Sequence, residues 1–276
     1  LAPGSIHAVV ISSDSYESEI YEQAIRNPAL HGIPILRIYG TPSHERPSPS
    51  ELRARLVARW GITEDDARWL ADNRDERHDA TLPMLPPERT ELHLRRYEFA
   101  ASLVAGRHVV DAACGTGYGS ALLATQGGAA SVTGIDIDPR ATDYAMRRFG
   151  SQNTRFITAS ATRTGLPPHS CDVGVSFETV EHIKDARALI DEFARIIRPG
   201  GVLVLSTPNN AGLTKHHVHT FTQETLGSLL STRFTDIQWH GQWARIAPPA
   251  SLPAAGIRPV ASGETPEYLI ALARPR

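Results

Sequence analysis

The sequence predicts an α/β protein built on a doubly wound, mostly parallel sheet. Three observations carry that expectation. From residue 88 onward, helical patterns alternate with short, continuously apolar strands, as in a parallel sheet covered on both faces. The first of those strands runs into a glycine-rich loop that opens a helix, between Val109 and Gly119. The carboxyl-terminal stretches Asp236 to Trp239 and Tyr268 to Leu272 offer two more strands for an antiparallel edge.

Taken in order, residues 1–87 read as an α/β amino-terminal extension and residues 88–276 as the main domain. Ile6 to Ile11 is a short β-branched run. Ser13 to Arg26 has Tyr16, Ile20, Tyr21, Ala24 and Ile25 at helical spacing, and Ile33 to Tyr39 looks extended. Residues 41–50, rich in Pro and Ser, form a linker-like stretch. A helix follows from a Ser50 cap, with Leu52, Leu56, Val57 and Trp60 on one face, and Gly61 ends it. A second helix at Glu64 to Leu70 leads into a charged tract, Asp72 to Asp79. In the main domain, helices are expected at Glu88 to Ala105, Gly119 to Gln126, Arg140 to Phe149, Ala186 to Ile197 and Gln223 to Leu230. Strands are expected at His108 to Ala112, Ser131 to Ile135, Arg155 to Thr158, Val173 to Phe177 and Val202 to Ser206.

Composition narrows the function. The 276 residues hold 28 Lys+Arg against 30 Asp+Glu, a net charge of −2, so no global field draws nucleic acid to the chain. Apolar runs reach only about five residues, too short to span a bilayer. No secretory signal is visible, and the chain reads as soluble and cytoplasmic. Two cysteines, Cys114 and Cys171, make neither a disulfide framework nor a zinc site by themselves.

The glycine loop restricts the ligand further. Glycines let the backbone approach a ligand closely, and the helix that follows presents free N–H groups and a positive dipole end. Here the spacing is G-x-G-x-G through Gly115, Gly117 and Gly119, whereas a dinucleotide pyrophosphate calls for G-x-G-x-x-G. Asp111, at the end of the strand, would repel a pyrophosphate but suits an ammonium or sulfonium centre. Asp136 ends the next strand, 25 residues later, where a carboxylate accepts hydrogen bonds from ribose hydroxyls. Together these favour a nucleoside with a cationic, zwitterionic tail over NAD.

The chain thereby resembles the class I S-adenosylmethionine-dependent methyltransferases of the small-molecule O/N-methylating type. The resemblance rests on Asp111-x-x-x-Gly115-x-Gly117, then Asp136, then Phe177-Glu178-Thr179-Val180-Glu181-His182, then Arg198-Pro199-Gly200-Gly201, in family order over about residues 90–275. It implies a seven-stranded sheet, S-adenosylmethionine as cofactor, and acceptor and cofactor over the carboxyl ends of the strands. It also implies that Gly115 and Gly117 line the methionine part, with Ala113 in the same loop, that Asp136 holds the ribose, and that Ile137 packs on adenine. Tyr97 resembles positions that close over the methionine carboxylate, while Phe177 and Glu178 shape the pocket. Many relatives carry an Asp after the third strand to meet the adenine amine; this chain has Ser160 and Ala161 there.

Methyl transfer from a sulfonium is an in-line displacement, so alignment supplies most of the catalysis. A hydroxyl acceptor also needs its proton removed, for which histidine is suited. His182 follows the fourth strand on the acceptor side, beside Glu181. His217 and His219 lie in the loop after the fifth strand and share a face if that loop is extended. His217 and His219 can be grouped on paper with Asp138 or Glu178 as a metal site, but their spacing does not call for one, and the reading is without metal. The expected reaction is methylation of a hydroxyl or amine of a small polar metabolite, with a sugar-containing natural product such as an amino sugar as the acceptor. Nucleic acid and membrane are not expected partners. An NAD-binding oxidoreductase and an inactive scaffold are the alternatives. The acidic residues Asp65, Asp66, Asp72, Asp75, Glu76 and Asp79 read as a solvated face or as a wall attracting a cationic acceptor. Trp60 and Trp69 raise the expectation of a homodimer contact through the extension.

Overall fold

The computed structural model describes residues 9–11, 35–37, 47–74, 77, 79–85, 87–213, 216–243 and 256–276. Two short strands, β1 (Val9–Ile11) and β2 (Ile35–Arg37), pair in parallel, inside the two extended stretches expected near the amino terminus. The helix expected between them, and Asp75 and Glu76, lie outside the described residues.

Helix α1 (Pro49–Trp60) starts earlier than its Ser50 reading. Ser48 is the cap: its hydroxyl accepts from the Glu51 N–H, the Glu51 carboxylate accepts from the Ser48 N–H, and Pro49 fills the first turn. Gly61, at φ 63°, closes the helix as expected. Helix α2 (Glu64–Asp72) is capped by Thr63. The two helices bury Leu52, Leu56, Trp69 and Leu70 against Ala141 and Tyr144 of the main domain.

Next come α3 (Pro87–Ala101), β3 (His108–Ala112), α4 (Tyr118–Thr125), β4 (Ser131–Asp136), α5 (Pro139–Phe149) and β5 (Thr154–Thr158). The chain continues with β6 (Cys171–Phe177), α6 (Ala186–Ile196), β7 (Ile197–Pro208), α7 (Gln223–Leu230), β8 (Phe234–Gln242), β9 (Ile257–Pro259) and β10 (Tyr268–Pro275). Eight strands form one sheet in the order β5-β4-β3-β6-β7-β10-β8-β9. The first five are parallel; β10 runs antiparallel to both β7 and β8, and β9 antiparallel to β8. The eighth strand exceeds the expected seven. It is β9, three residues at the edge, too short to leave a hydrophobic pattern in the sequence.

Successive residues of β3 feed opposite faces. Val110 joins a core with Leu189, Phe193 and Ile196 of α6, and Val109 joins one with Tyr97, Ala100 and Leu123 of α3 and α4. Strand order reverses at β3, which has β4 on one side and β6 on the other. That switch point lies at the carboxyl ends of these strands, the place where doubly wound folds bind ligands. Among the described residues, no helix is long and apolar enough to cross a membrane.

Candidate active site

The loop after β3 is shaped by two requirements. Gly115 sits at φ 55° with open space where a Cβ would stand, so its backbone is bare to a ligand. Gly119 instead permits packing: a Cβ there would lie 2.0 Å from the Tyr97 ring. Ala113 also adopts positive φ, 61°. Tyr97 is buried, meets Tyr118 and Phe177 edge-on at 5.5 and 5.0 Å, and donates its hydroxyl to Asp111 at 3.3 Å. Its contact in this structure is therefore with the motif's own carboxyl group.

Asp111 has no solvent exposure, and Ser120 donates to it at 2.6 Å. Burial pushes its carboxyl up to about 7, against the opposing effect of the Ser120 and Tyr97 hydroxyls and with a contribution from the negative Asp136. Asp136 ends β4, its oxygens accepting from the N–H groups of Gly115 at 2.9 Å and Asp138 at 3.0 Å. Arg77 reaches over from the extension, 3.4 Å from Asp136 and 3.6 Å from Asp138. Nothing in the charged tract marked Arg77 in advance; only the docking of α2 onto α5 brings it there. Ile137, next in the chain, is an apolar side chain left 69% exposed. Ser160 turns into its own loop, bonding to Thr162 at 2.8 Å, beside the half-buried Ala161.

At the end of β6, Glu178 takes a left-handed conformation, φ 50°, a strained state for a non-glycine residue. It is held by Ser206, whose hydroxyl donates to Glu178 Oε1 at 2.8 Å, and it faces the buried Arg96 guanidinium at 3.6 Å. Arg96 is fixed in turn by Gln242 at 2.8 Å and by the face of Tyr268 at 4.2 Å. Neither Arg96 nor Gln242 stood out in the sequence, since a buried arginine is recognised only by what surrounds it.

Glu181 is buried. Thr207 donates to its Oε2 at 3.0 Å, while its Oε1 has no hydrogen-bond partner. Burial raises its carboxyl pKa, and the negative charge of Glu178 raises it further. The histidine loop is tied to this point, because the N–H groups of Val218 and His219 both donate to the Glu181 carbonyl, at 2.9 and 3.1 Å. His182 donates Nδ1–H to the His216 carbonyl at 2.9 Å and meets the His217 ring edge-on at 4.8 Å. Partial burial lowers the His217 pKa, and the neighbouring His182 lowers it further.

The structure therefore brings Glu181, His182 and His217 together, with one potential ligand atom from each lying within 4.8 Å of the others. His219 is directed elsewhere. Its Nε2 donates to the Lys184 carbonyl at 3.0 Å and its ring packs on Phe221, so the extended loop that would align it with His217 does not form. The metal grouping considered from sequence, His217 and His219 with Asp138 or Glu178, is likewise replaced by a different set.

The acidic tract is also partly spent on internal contacts. Asp66 pairs with Arg147 at 2.7 Å; the fully buried Asp79 accepts from Tyr144 at 2.7 Å and pairs with Arg148 at 2.9 Å. Trp69 is buried against Tyr144, leaving Trp60, 47% exposed, as the outward-facing tryptophan of this pair.

Residues 110–205 match a family described as a methyltransferase domain. The chain is 35% identical over 133 residues to a probable S-adenosylmethionine-dependent methyltransferase of Mycolicibacterium smegmatis, covering 48% of this chain and 50% of that protein. It is 33% identical over 126 residues to a ubiquinone biosynthesis O-methyltransferase of Nitrosomonas europaea, covering 43% of this chain and 52% of that one. The chain thus spans about half the length of the curated relatives it matches. Its fold resembles the N-methyltransferase NodS of Bradyrhizobium japonicum, solved with S-adenosylhomocysteine, at a TM-score of 0.52 and 20% identity over 83% of this chain and 99% of that one.

Proposed function

We propose that the class I S-adenosylmethionine-dependent methyltransferase domain carried by this chain transfers a methyl group to a hydroxyl of a small polar metabolite, with a sugar-bearing acceptor such as an amino sugar as its substrate class. The observation that supports an oxygen acceptor most is the Glu181, His182 and His217 group at the end of β6. A neutral amine is already nucleophilic, whereas a hydroxyl needs groups that take or stabilise its proton. Curated relatives named as O-methyltransferases point the same way. In this reading the cofactor lies over Gly115, with its ammonium toward Asp111, its ribose on Asp136 and its adenine against Ile137. The acceptor then approaches from the Glu178–His182 side, in line with the sulfonium methyl.

The test is transfer of isotopically labelled methyl from S-adenosylmethionine to a panel of sugars, amino sugars and phenols, read by mass spectrometry and NMR. The expected product is an O-methyl sugar, and His217→Ala lowers turnover by about 10²–10⁴ while cofactor affinity stays unchanged. Label found only on nitrogen, or on phenols alone, overturns the acceptor assignment.

A further inference from the structure

From the Glu181–His182–His217 cluster we infer a divalent first-row metal site that orients the acceptor oxygen and lowers the pKa of its hydroxyl. The inference deepens the proposed methyl transfer and rests on that reading for its chemistry, but not for its geometry. Three independent features point to a bound cation. The first is the orphaned oxygen. Glu181 Oε1 is buried with no donor, while its partner oxygen is satisfied by Thr207, so one acceptor site is left facing the histidines. Buried polar atoms without partners are rare in folded proteins, and a cation is one way to satisfy them.

The second feature is spacing. His182 Nε2 stands 3.9 Å from Glu181 Oε1, too far for a hydrogen bond. It is the separation expected of two atoms bound to one ion, because metal–ligand bonds of about 2.0–2.2 Å put ligands roughly 3–4 Å apart. His217 brings the third ligand atom within 4.8 Å of the other two. The third is orientation. His182 donates Nδ1–H to the His216 carbonyl, which fixes the tautomer with its Nε2 lone pair toward Glu181. A backbone carbonyl on the far ring nitrogen is the usual outer support of a metal-binding histidine. The same loop is anchored by two N–H donations to the Glu181 carbonyl, so the three groups are preset relative to one another.

Two imidazoles and one carboxylate suit Zn²⁺, Mn²⁺, Fe²⁺ or Co²⁺ better than the all-oxygen preferences of Mg²⁺ or Ca²⁺. Three protein ligands leave positions open for the acceptor. One carboxylate against a divalent ion leaves a net positive site, which stabilises an oxygen that is losing its proton. The proton passes to water. The oxygen–methyl bond then forms as the methyl–sulfur bond breaks, with the electron pair of that bond retained by sulfur.

The test is titration of the full chain, stripped with EDTA and exchanged into metal-free buffer, with Co²⁺ followed by visible absorption. S-adenosylhomocysteine binding is measured by calorimetry on the same samples. The expected result is one Co²⁺ per chain, weakened at least about tenfold by His217→Ala and by Glu181→Gln but retained by His216→Ala, whose imidazole is outside the cluster. All three variants should bind S-adenosylhomocysteine as wild type does, which shows that they fold. Absence of saturable Co²⁺ binding in the wild type, or binding that survives both substitutions, overturns the metal site. If S-adenosylhomocysteine still binds in that case, the methyltransferase reading stands without the metal; if it does not bind, that reading falls on its own.

Discussion

At Asp111 a carboxyl sealed from solvent is pushed up to about 7, chiefly by burial. The groups facing it are the hydroxyls of Tyr97 and Ser120, the thiol of Cys114, the phenol of Tyr118 and the negative Asp136. None of these supplies a positive charge. The ammonium of the cofactor would supply one, so ligand binding should ionise Asp111 and release its proton. The sign follows: cofactor affinity falls by up to tenfold per pH unit below about 7 and is flat above it. Calorimetry in buffers of different ionisation enthalpy should detect the released proton at pH 6, and Asp111→Asn should abolish both effects. Equal affinity at pH 5.5 and 8 would remove the ammonium from Asp111. Without ligand, the raised pKa acts on stability in the opposite sense. An acid with folded pKa near 7 and a reference value of 3.8 loses stability as pH rises through that interval. Glu181, also raised, adds to the same slope, so Asp111→Asn should flatten it only in part.

Among the elements, the docking of α1 and α2 onto α5 matters most for the site, because it delivers Arg77 to Asp136 and Asp138. Leu70 is fully buried in that contact, and Leu70→Ala should cost about 2–5 kcal/mol in urea unfolding. A loss below about 1 kcal/mol would mean that α2 is not packed as described. What could be read in advance at this scale follows from range. Val109, Val110 and Ala112 of β3 and the 3.6-residue pattern of Leu189, Ile190, Phe193 and Ile196 are local signals, and those elements fall where expected. The start of α1 was misplaced because two serines, Ser48 and Ser50, compete as its cap, and the choice of Ser48 depends on Glu51 reaching back. His217 and His219 could not be separated, since the path of their loop is set by N–H donations to the Glu181 carbonyl, far away in sequence. Arg77, Arg96 and Gln242 were invisible for the same reason: each acts through partners on other elements.

For the molecule as a whole, strand order places the carboxyl ends of β3, β4 and β6 side by side at the switch point. The motif residues Asp111, Gly115, Asp136 and Glu178 all lie on those strand ends or the loops leaving them. Their order along the chain was therefore enough to anticipate one shared site, although their separate hydrogen bonds were not. The central claim is that this switch point binds the nucleoside cofactor of methyl transfer. The measurement that tests it most directly is calorimetric titration of the full chain with S-adenosylhomocysteine and, separately, with NAD. The account predicts one S-adenosylhomocysteine site, weakened by about 1.5–3 kcal/mol in Asp136→Ala through loss of the charged ribose acceptor, and no NAD binding. Saturable NAD binding, or S-adenosylhomocysteine affinity unchanged in Asp136→Ala, would contradict it.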